Sequence, residues 1–449
     1  MGNIYNFSSN ALLKRIGLSP SKKLFVFLVS AVLVTVPLGY AYNSIALILF
    51  VLYSVLAAKK GDIHFDKALF LPIALYLLMA LSLLWSVDVG SSLKALSKEA
   101  SLLFIPLALF LNRRYIRMGK KYILKNFSVA MVLAGVILLA RAFYRYIQTG
   151  NTDVFFYHEL ATIQINAIYV SALFSVPLYY FLTLKRKNTW SYTAFAFLFL
   201  LIFLLASKTV IIIDVMLTAI YFLFFSRMPK KARFTVFILF LATAFTLGYF
   251  SKVKERIISE FTTKPTQTEE GTNILTVREA WEKPRFTAND YFNGSAFRVY
   301  QFRIFTEMLE EDGIVFTGYG LNASPQKVFT KGVEHNVNSE GSYGYGIQNF
   351  HNQYVETFAD LGIFGLILLL IMLGVNLKNG LKNKDFVHIA FAILMIALLL
   401  TESFLWRQRG VVFFTMLYCL VNLSKGFEKE YHEKNTNNGG GRLPGVTPL

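Results

Sequence analysis

His351 stands in Phe350-His351-Asn352-Gln353-Tyr354, just ahead of an apolar run. An imidazole titrates near neutrality and can take a proton from a hydroxyl. A lone His is more often structural, and periodicity alone does not overturn that. Several cations sit where an apolar run ends. Arg141 and Arg145 are one helical turn apart, Lys208 lies in Ser207-Lys208-Thr209, and Glu402, Arg407 and Arg409 share a short connection. A long polar segment adds Arg298, Arg303 and His335. Any one of these cations can be read as snorkelling to a headgroup. As a set, Arg141, Arg145, Lys208, Arg407 and Arg409 make a basic site suited to a phosphate or diphosphate. Asp214, about two turns from Lys208, either pairs with a cation or satisfies a neighbour. No HExxH or CxxC occurs, and the six His residues lack ligand spacing, so no metal is expected. Neither GxxxxGK[ST] nor a helix-opening GxGxxG is present, so a nucleotide-driven pump is unsupported.

The elements that must position these groups are apolar runs. They fall near 24–38, 43–58, 68–87, 95–111, 123–147, 165–184, 191–206, 209–225, 234–250, 360–377, 386–405 and 409–424. Only 16% of the 449 residues are charged, against about 25% in a soluble domain. A bilayer core of roughly 30 Å needs such runs, and lipid demands that they be helices. The first two are short for spanning, and the fourth opens with Lys94, Lys98 and Glu99. Net charge is +18, yet the Lys and Arg residues punctuate the gaps between runs instead of forming one basic face. That pattern excludes a nucleic-acid groove and reads as topology signals.

Cations gather in alternate connections: Lys14, Arg15, Lys22 and Lys23; then Lys59, Lys60 and Lys67; Arg113 to Lys121; Lys185 to Lys187; Arg227 to Arg233; and Lys378 to Lys384. The short connections between them, 40–43 and 88–92, have none. The positive-inside rule places both termini in the cytoplasm. The expected fold is an all-α polytopic membrane protein with about twelve transmembrane helices. Helices one to nine occupy 1–250, a large non-cytoplasmic loop 251–359, helices ten to twelve 360–424, and a polar tail 425–449. The loop holds the Gly-rich stretch 341–346, and amphipathic helices are expected in it, for instance over 298–311. The Gly/Pro-rich tail is expected to be disordered. The single cysteine, Cys419, lies in the last run and allows no disulfide within one chain.

From His351 the text reads HNQYVETFADLGIFG, which resembles the signature of the O-antigen ligase/polymerase superfamily of bacterial membrane glycan transferases. There a His-Asn pair precedes an aromatic or aliphatic residue and a Gly-x-x-Gly entering a helix; here these are His351, Asn352, Tyr354, Gly362 and Gly365. Leu81-Ser82-Leu83-Leu84-Trp85-Ser86, ahead of Lys98 and Pro106, resembles an early LSxxWS element. Arg298-x-x-x-Phe302 leading to Gly318-Tyr319-Gly320 resembles an Arg-x-x-x-Trp helix with its Gly-x-Gly turn, and Thr401-Glu402-Ser403 with Arg409-Gly410 a late outer turn. The order covers nearly the whole chain. Two positions depart: Lys208 stands where Arg is common, which loses the bidentate fork, and Phe302 replaces Trp.

The resemblance implies a GT-C-like, metal-independent inverting glycosyltransferase of the bacterial inner membrane, without cofactor and with a periplasmic active site. The implied donor is an undecaprenyl-diphosphate-linked glycan. His351 would be the base, with Arg298 and Lys208 on the diphosphate, helped by Arg141, Arg145, Arg303, Arg407 and Arg409; Asn352, Glu356 and Glu402 would support them. Lipid A-core as acceptor makes an O-antigen ligase, a lipid-linked repeat unit a polymerase, and a protein hydroxyl an O-oligosaccharyltransferase. The motifs do not separate these, and ligase is favoured. Membrane lipids and other polysaccharide-assembly proteins are the expected partners. A lipid-linked sugar transporter is the rival from another class; it would show mid-membrane charges and internal repeats, and no repeat is visible.

Overall fold

A computed structural model describes residues 21–58, 67–161, 165–250, 254, 266–267, 273–337 and 349–423. The Gly-rich stretch 341–346, the cations Lys14, Arg15, Lys59 and Lys60, and the tail from 424 lie outside the described residues. Helices dominate. The first group is α1 (Lys22–Thr35), α2 (Tyr40–Leu56), α3 (Lys67–Leu81), α4 (Val89–Glu99), α5 (Ser101–Leu111) and α6 (Arg113–Thr149). Next come α7 (Tyr157–Leu160), α8 (Ala167–Thr183), α9 (Thr189–Leu204), α10 (Lys208–Ile220) and α11 (Lys230–Phe250). The polar segment holds α12 (Val277–Glu282), α13 (Gly294–Asp312) and α14 (Pro325–Glu334), and the chain returns through α15 (Gln353–Asn383), α16 (Phe386–Leu398) and α17 (Gln408–Asn422). Short polar residues start many of them: Asp88, Asn188, Asn293, Asn352 and Asp385 each accept from an amide in the first turn.

Among the described residues, five helices are long and apolar enough to cross a membrane: Lys67–Leu84, Met118–Thr149, Lys208–Phe225, Lys230–Tyr249 and Gln353–Asn383. Four shorter apolar helices accompany them. The chain is therefore a helical, polytopic membrane protein. Residues 409–422 of α17 are buried on every side, around Phe413, Phe414 and Tyr418. By contrast α11 is equally apolar but shows Phe234, Leu239 and Phe245 on its surface. In water such a face would be an association patch; in lipid it needs no partner.

One expectation is corrected. The run 95–111 is two helices meeting at Ala100, because Lys94, Lys98 and Glu99 belong to an amphipathic α4 lying before the apolar α5. The all-α expectation stands, with one small addition in the polar segment. Residues 266–267 (β1), 273–275 (β2) and 290–292 (β3) form a small sheet, β1 antiparallel and β3 parallel to β2. These strands are too short to carry a readable alternation. The expected helix over 298–311 is present within α13. Residues 273–337 have their own core, in which Phe286, Phe292 and Tyr300 pack ring on ring and Val355 and Ala359 of α15 join.

This polar unit is docked by a joint of main-chain bonds. Tyr319 and Gly320 donate to the carbonyls of Ala359 and Asp360 at 2.8 and 2.9 Å, and Ile363 donates to Val315 at 2.8 Å. From the other side, Val87 donates to the Tyr319 carbonyl at 3.0 Å, the Trp85 indole to that of Thr317 at 2.9 Å, and Leu321 to Ser82 Oγ at 3.1 Å. The strap only fits because of glycine. Gly362 breaks α15 at φ 65°, and a methyl group there would run into the Phe316 carbonyl. One on Gly318, also at positive φ, would strike the Asp360 carbonyl.

Candidate active site

The first turn of α15 is bolted to the connection between α16 and α17. Gln353 donates its amide to the Leu399 carbonyl at 2.8 Å and accepts from Leu405 N at 2.7 Å. Buried Glu356 accepts from Phe350 N at 3.0 Å and from Ser403 Oγ at 2.9 Å. Asn352 caps the helix, its Oδ1 accepting from Tyr354 N and Val355 N at 2.9 and 3.2 Å. These bonds present His351 immediately before the helix, in a left-handed conformation at φ 49° that a non-glycine residue adopts only when its surroundings impose it. Its amide donates to Asn349 Oδ1 at 3.1 Å, and its ring meets the edge of Phe297 at 5.6 Å.

Arg298 reaches the same connection from α13. Its Nε donates to the Thr401 carbonyl at 3.0 Å, Nη1 to Gly294 O at 3.0 Å, and Nη2 to Glu402 Oε1 at 2.9 Å. The other Glu402 oxygen lies 3.6 Å from His351 Nδ1. That exceeds a hydrogen bond, so Glu402 acts on the ring as a nearby charge. Thr401 Oγ1 donates to Thr209 Oγ1 at 3.2 Å, which brings the start of α10, with Lys208 as its first residue, to this turn. His351, Arg298, Glu402, Glu356 and the Lys208 end of α10 thus meet around residues 399–407. A hydroxyl placed at the imidazole would lie beside cations able to receive negative charge.

The other expected residues sit elsewhere or do other work, except Arg407, which closes this turn. Arg303 faces away from this turn: it bonds Glu307 Oε1 at 2.8 Å and the Lys283 carbonyl at 2.7 Å, and lies 3.4 Å from His335 Nε2. His335 is buried between Tyr300 and Glu307, at 3.2 Å from each. Burial holds its imidazole below the usual value, against the pull of Glu307. Arg141 donates to the Ala161 carbonyl at 3.2 Å, and Arg145 grips Glu159, so both tie down α7. Arg409 is buried with its guanidinium 4.3 Å from the Tyr40 ring, and Arg407 is exposed. Asp214 satisfies neighbours, accepting from Ser175 Oγ at 2.7 Å and Tyr179 OH at 2.6 Å.

Sequence reasoning missed a second feature. Beneath the first turn of α15 lies a narrow cavity lined by Lys98, Glu99, Asn322, Glu356, Asp360 and Trp406. Its three carboxyl groups are all buried. The signal was there: Glu99 and Asp360 are ionisable residues at the edges of apolar runs, where such groups are costly and rare.

Comparison with known proteins matches residues 193–370 to the O-antigen ligase family. The matched stretch contains Lys208, Arg298, Arg303, His351, Asn352 and Glu356, and ends before Glu402, Arg407 and Arg409. No curated protein matches the chain.

Proposed function

We propose that this member of the O-antigen ligase/polymerase superfamily, identified by residues 193–370, moves a glycan from undecaprenyl diphosphate to an acceptor hydroxyl. The observation that carries the reading is the meeting of His351, the Arg298–Glu402 pair and the Lys208 end of α10 at one turn. In the proposed step the acceptor oxygen attacks the anomeric carbon from the face opposite the diphosphate. The new C–O bond forms as the bond to the phosphate oxygen breaks, the hydroxyl proton passes to the His351 ring, and the lipid diphosphate leaves. Configuration inverts. Glu402 stabilises the imidazolium that results, and Arg298 and Lys208 meet the charge growing on the leaving group. Arg298 spends three of its five N–H groups on Glu402, Thr401 and Gly294, which leaves two for phosphate oxygens. No step requires a metal or cofactor.

Lipid A-core is the favoured acceptor, which would make the protein a ligase; a lipid-linked repeat unit or a protein hydroxyl would use the same chemistry. The reading takes the chain as a bacterial inner-membrane protein of about twelve spans, with the divisions 1–250, 251–359, 360–424 and 425–449, cytoplasmic termini and the site on the periplasmic face. The deciding experiment gives purified protein a labelled diphosphate-linked glycan and each acceptor in turn, without nucleotide or divalent metal. Transfer to one acceptor supports the proposal and identifies the acceptor; strict dependence on added metal overturns it.

Orientation has its own test. Ala288 is exposed in the polar unit, and Cys419 is buried. Ala288→Cys in a Cys419→Ala background should react with an impermeant thiol reagent in cells whose outer membrane alone is permeabilised. Reaction only after the inner membrane is broken would reverse the orientation.

For Lys208, Lys208→Arg should keep activity and Lys208→Ala should lose roughly ten- to more than a hundredfold, the worth of one charge-assisted hydrogen bond. The loss should appear at matched protein levels, measured as initial rate against donor concentration. An Ala variant at full rate returns Lys208 to headgroup snorkelling.

A further inference from the structure

The end of the bundle opposite His351 carries a basic cavity that the transfer reaction does not use. α8 links the two ends. Near its start, the Tyr169 hydroxyl donates to the Phe404 carbonyl at 3.1 Å, beside the His351 turn. Past its far end, Arg186 and Lys187 line a cavity of about 400 Å³ between α6, α8 and α9. Lys125 of α6 contributes a third cation, and Tyr180 and Trp190 flank them. Val129 and Leu184 supply apolar wall, so basic and greasy surface share one opening.

The charge is one-sided. No Asp or Glu lines the cavity, and none occurs anywhere in 100–152 or 160–213, the stretches that build it. A neighbouring cation on the same helix shows the contrast: Lys120 pairs with Asp385 at 3.1 Å. Lys125 lies seven residues inside the apolar stretch that starts at Met118, about 10 Å along the helix axis, and is exposed. At that depth it borders the headgroup layer. Lys187 is half-buried, its ammonium 5.5 Å from the Tyr221 ring, and burial lowers its pKa. Concentrated positive charge on a lipid-facing groove wants an anion, and the apolar wall wants an acyl chain.

We propose that this cavity binds the phosphodiester headgroup of an anionic glycerophospholipid, with Lys125, Arg186 and Lys187 on the phosphate and Trp190 and Tyr180 at the glycerol level. The site needs only that the basic end of the bundle lie at a membrane surface, which holds in either orientation and for any acceptor. Delipidated protein in phosphatidylcholine micelles is titrated with phosphatidylglycerol and read by native mass spectrometry. Wild type should retain phosphatidylglycerol in preference to phosphatidylcholine. Lys125→Gln/Arg186→Gln/Lys187→Gln should weaken retention roughly a hundredfold, at about fivefold for each cation removed near a membrane surface. Arg186→Gln alone, at an exposed position with little bearing on folding, should weaken it about fivefold. Lys230→Gln/Lys231→Gln/Lys378→Gln removes the same charge outside the cavity and should leave retention intact. Equal loss in both triple variants, or none in the first, overturns the site. Displacement of the lipid by millimolar inorganic phosphate would overturn the lipid assignment in favour of a free-phosphate site.

Discussion

His351→Ala is expected to fold, insert and bind the lipid-linked donor as wild type does, while glycan transfer falls about 10²–10⁴-fold, the usual contribution of positioned proton transfer. The expectation rests on place. The ring stands at the head of α15, beside Glu402 and the edge of Phe297, where a polar unit meets the bundle. Because residue 351 is held at φ 49°, alanine carries a conformational cost of its own. His351→Asn removes the base with a side chain that tolerates the left-handed region, so a folding defect and a chemical defect separate. Both variants should lose the acid limb of the pH–rate profile. His335 shares the His-Asn dipeptide but is walled in by Tyr300 and Glu307, so His335→Ala should be far milder. Loss of donor binding in step with rate, or an inactive His335 variant beside an active His351 one, would remove the general-base role.

Gly362→Ala should be severely damaging, as a methyl group on Gly318 or Gly410 would also be. It faces a positive φ and a main-chain carbonyl at once, and neither can yield cheaply. About 3 kcal/mol or more of destabilisation is expected. Gly374 lies on the same helix with open space where its Cβ would point. Gly374→Ala should therefore be neutral or slightly stabilising, since alanine is the better helix former by about 1 kcal/mol. Fluorescence-detected size exclusion across a temperature ramp compares the two directly. A Gly362→Ala protein as heat-stable as the Gly374 variant would show that the strap adjusts freely.

Much of this architecture is legible in the residues. Apolar runs and the polar segment follow from bilayer thickness and from the punctuation by Lys and Arg. The helix over 298–311 was also readable. Local breaks were not. The kink at Gly362 leaves hydropathy unchanged and becomes visible only when the partner that packs there is known, whereas the split at Ala100 was foreshadowed by Lys94, Lys98 and Glu99 but not placed. The three strands are each two or three residues long, below any periodic signal. At the site, charge sign was readable but pairing was not. Arg298 and Arg303 are five residues apart on one helix, and that spacing turns them to different faces, one to Glu402 and the other to Glu307. Asn352 looked like a supporting polar group beside the base; its carbonyl oxygen is spent on capping α15.

The strap between 314–321 and 359–363 is made mostly of peptide groups. Peptide groups are common to every sequence, so the docking of the polar unit places few demands on side-chain identity beyond its glycines. The unit can therefore drift. Its outward residues are open to replacement while the registry that docks it against α15 is preserved. The same property makes it graftable: exchanging the outer surface of α13 and α14 between related chains should leave the docking joint and the bundle beneath it intact.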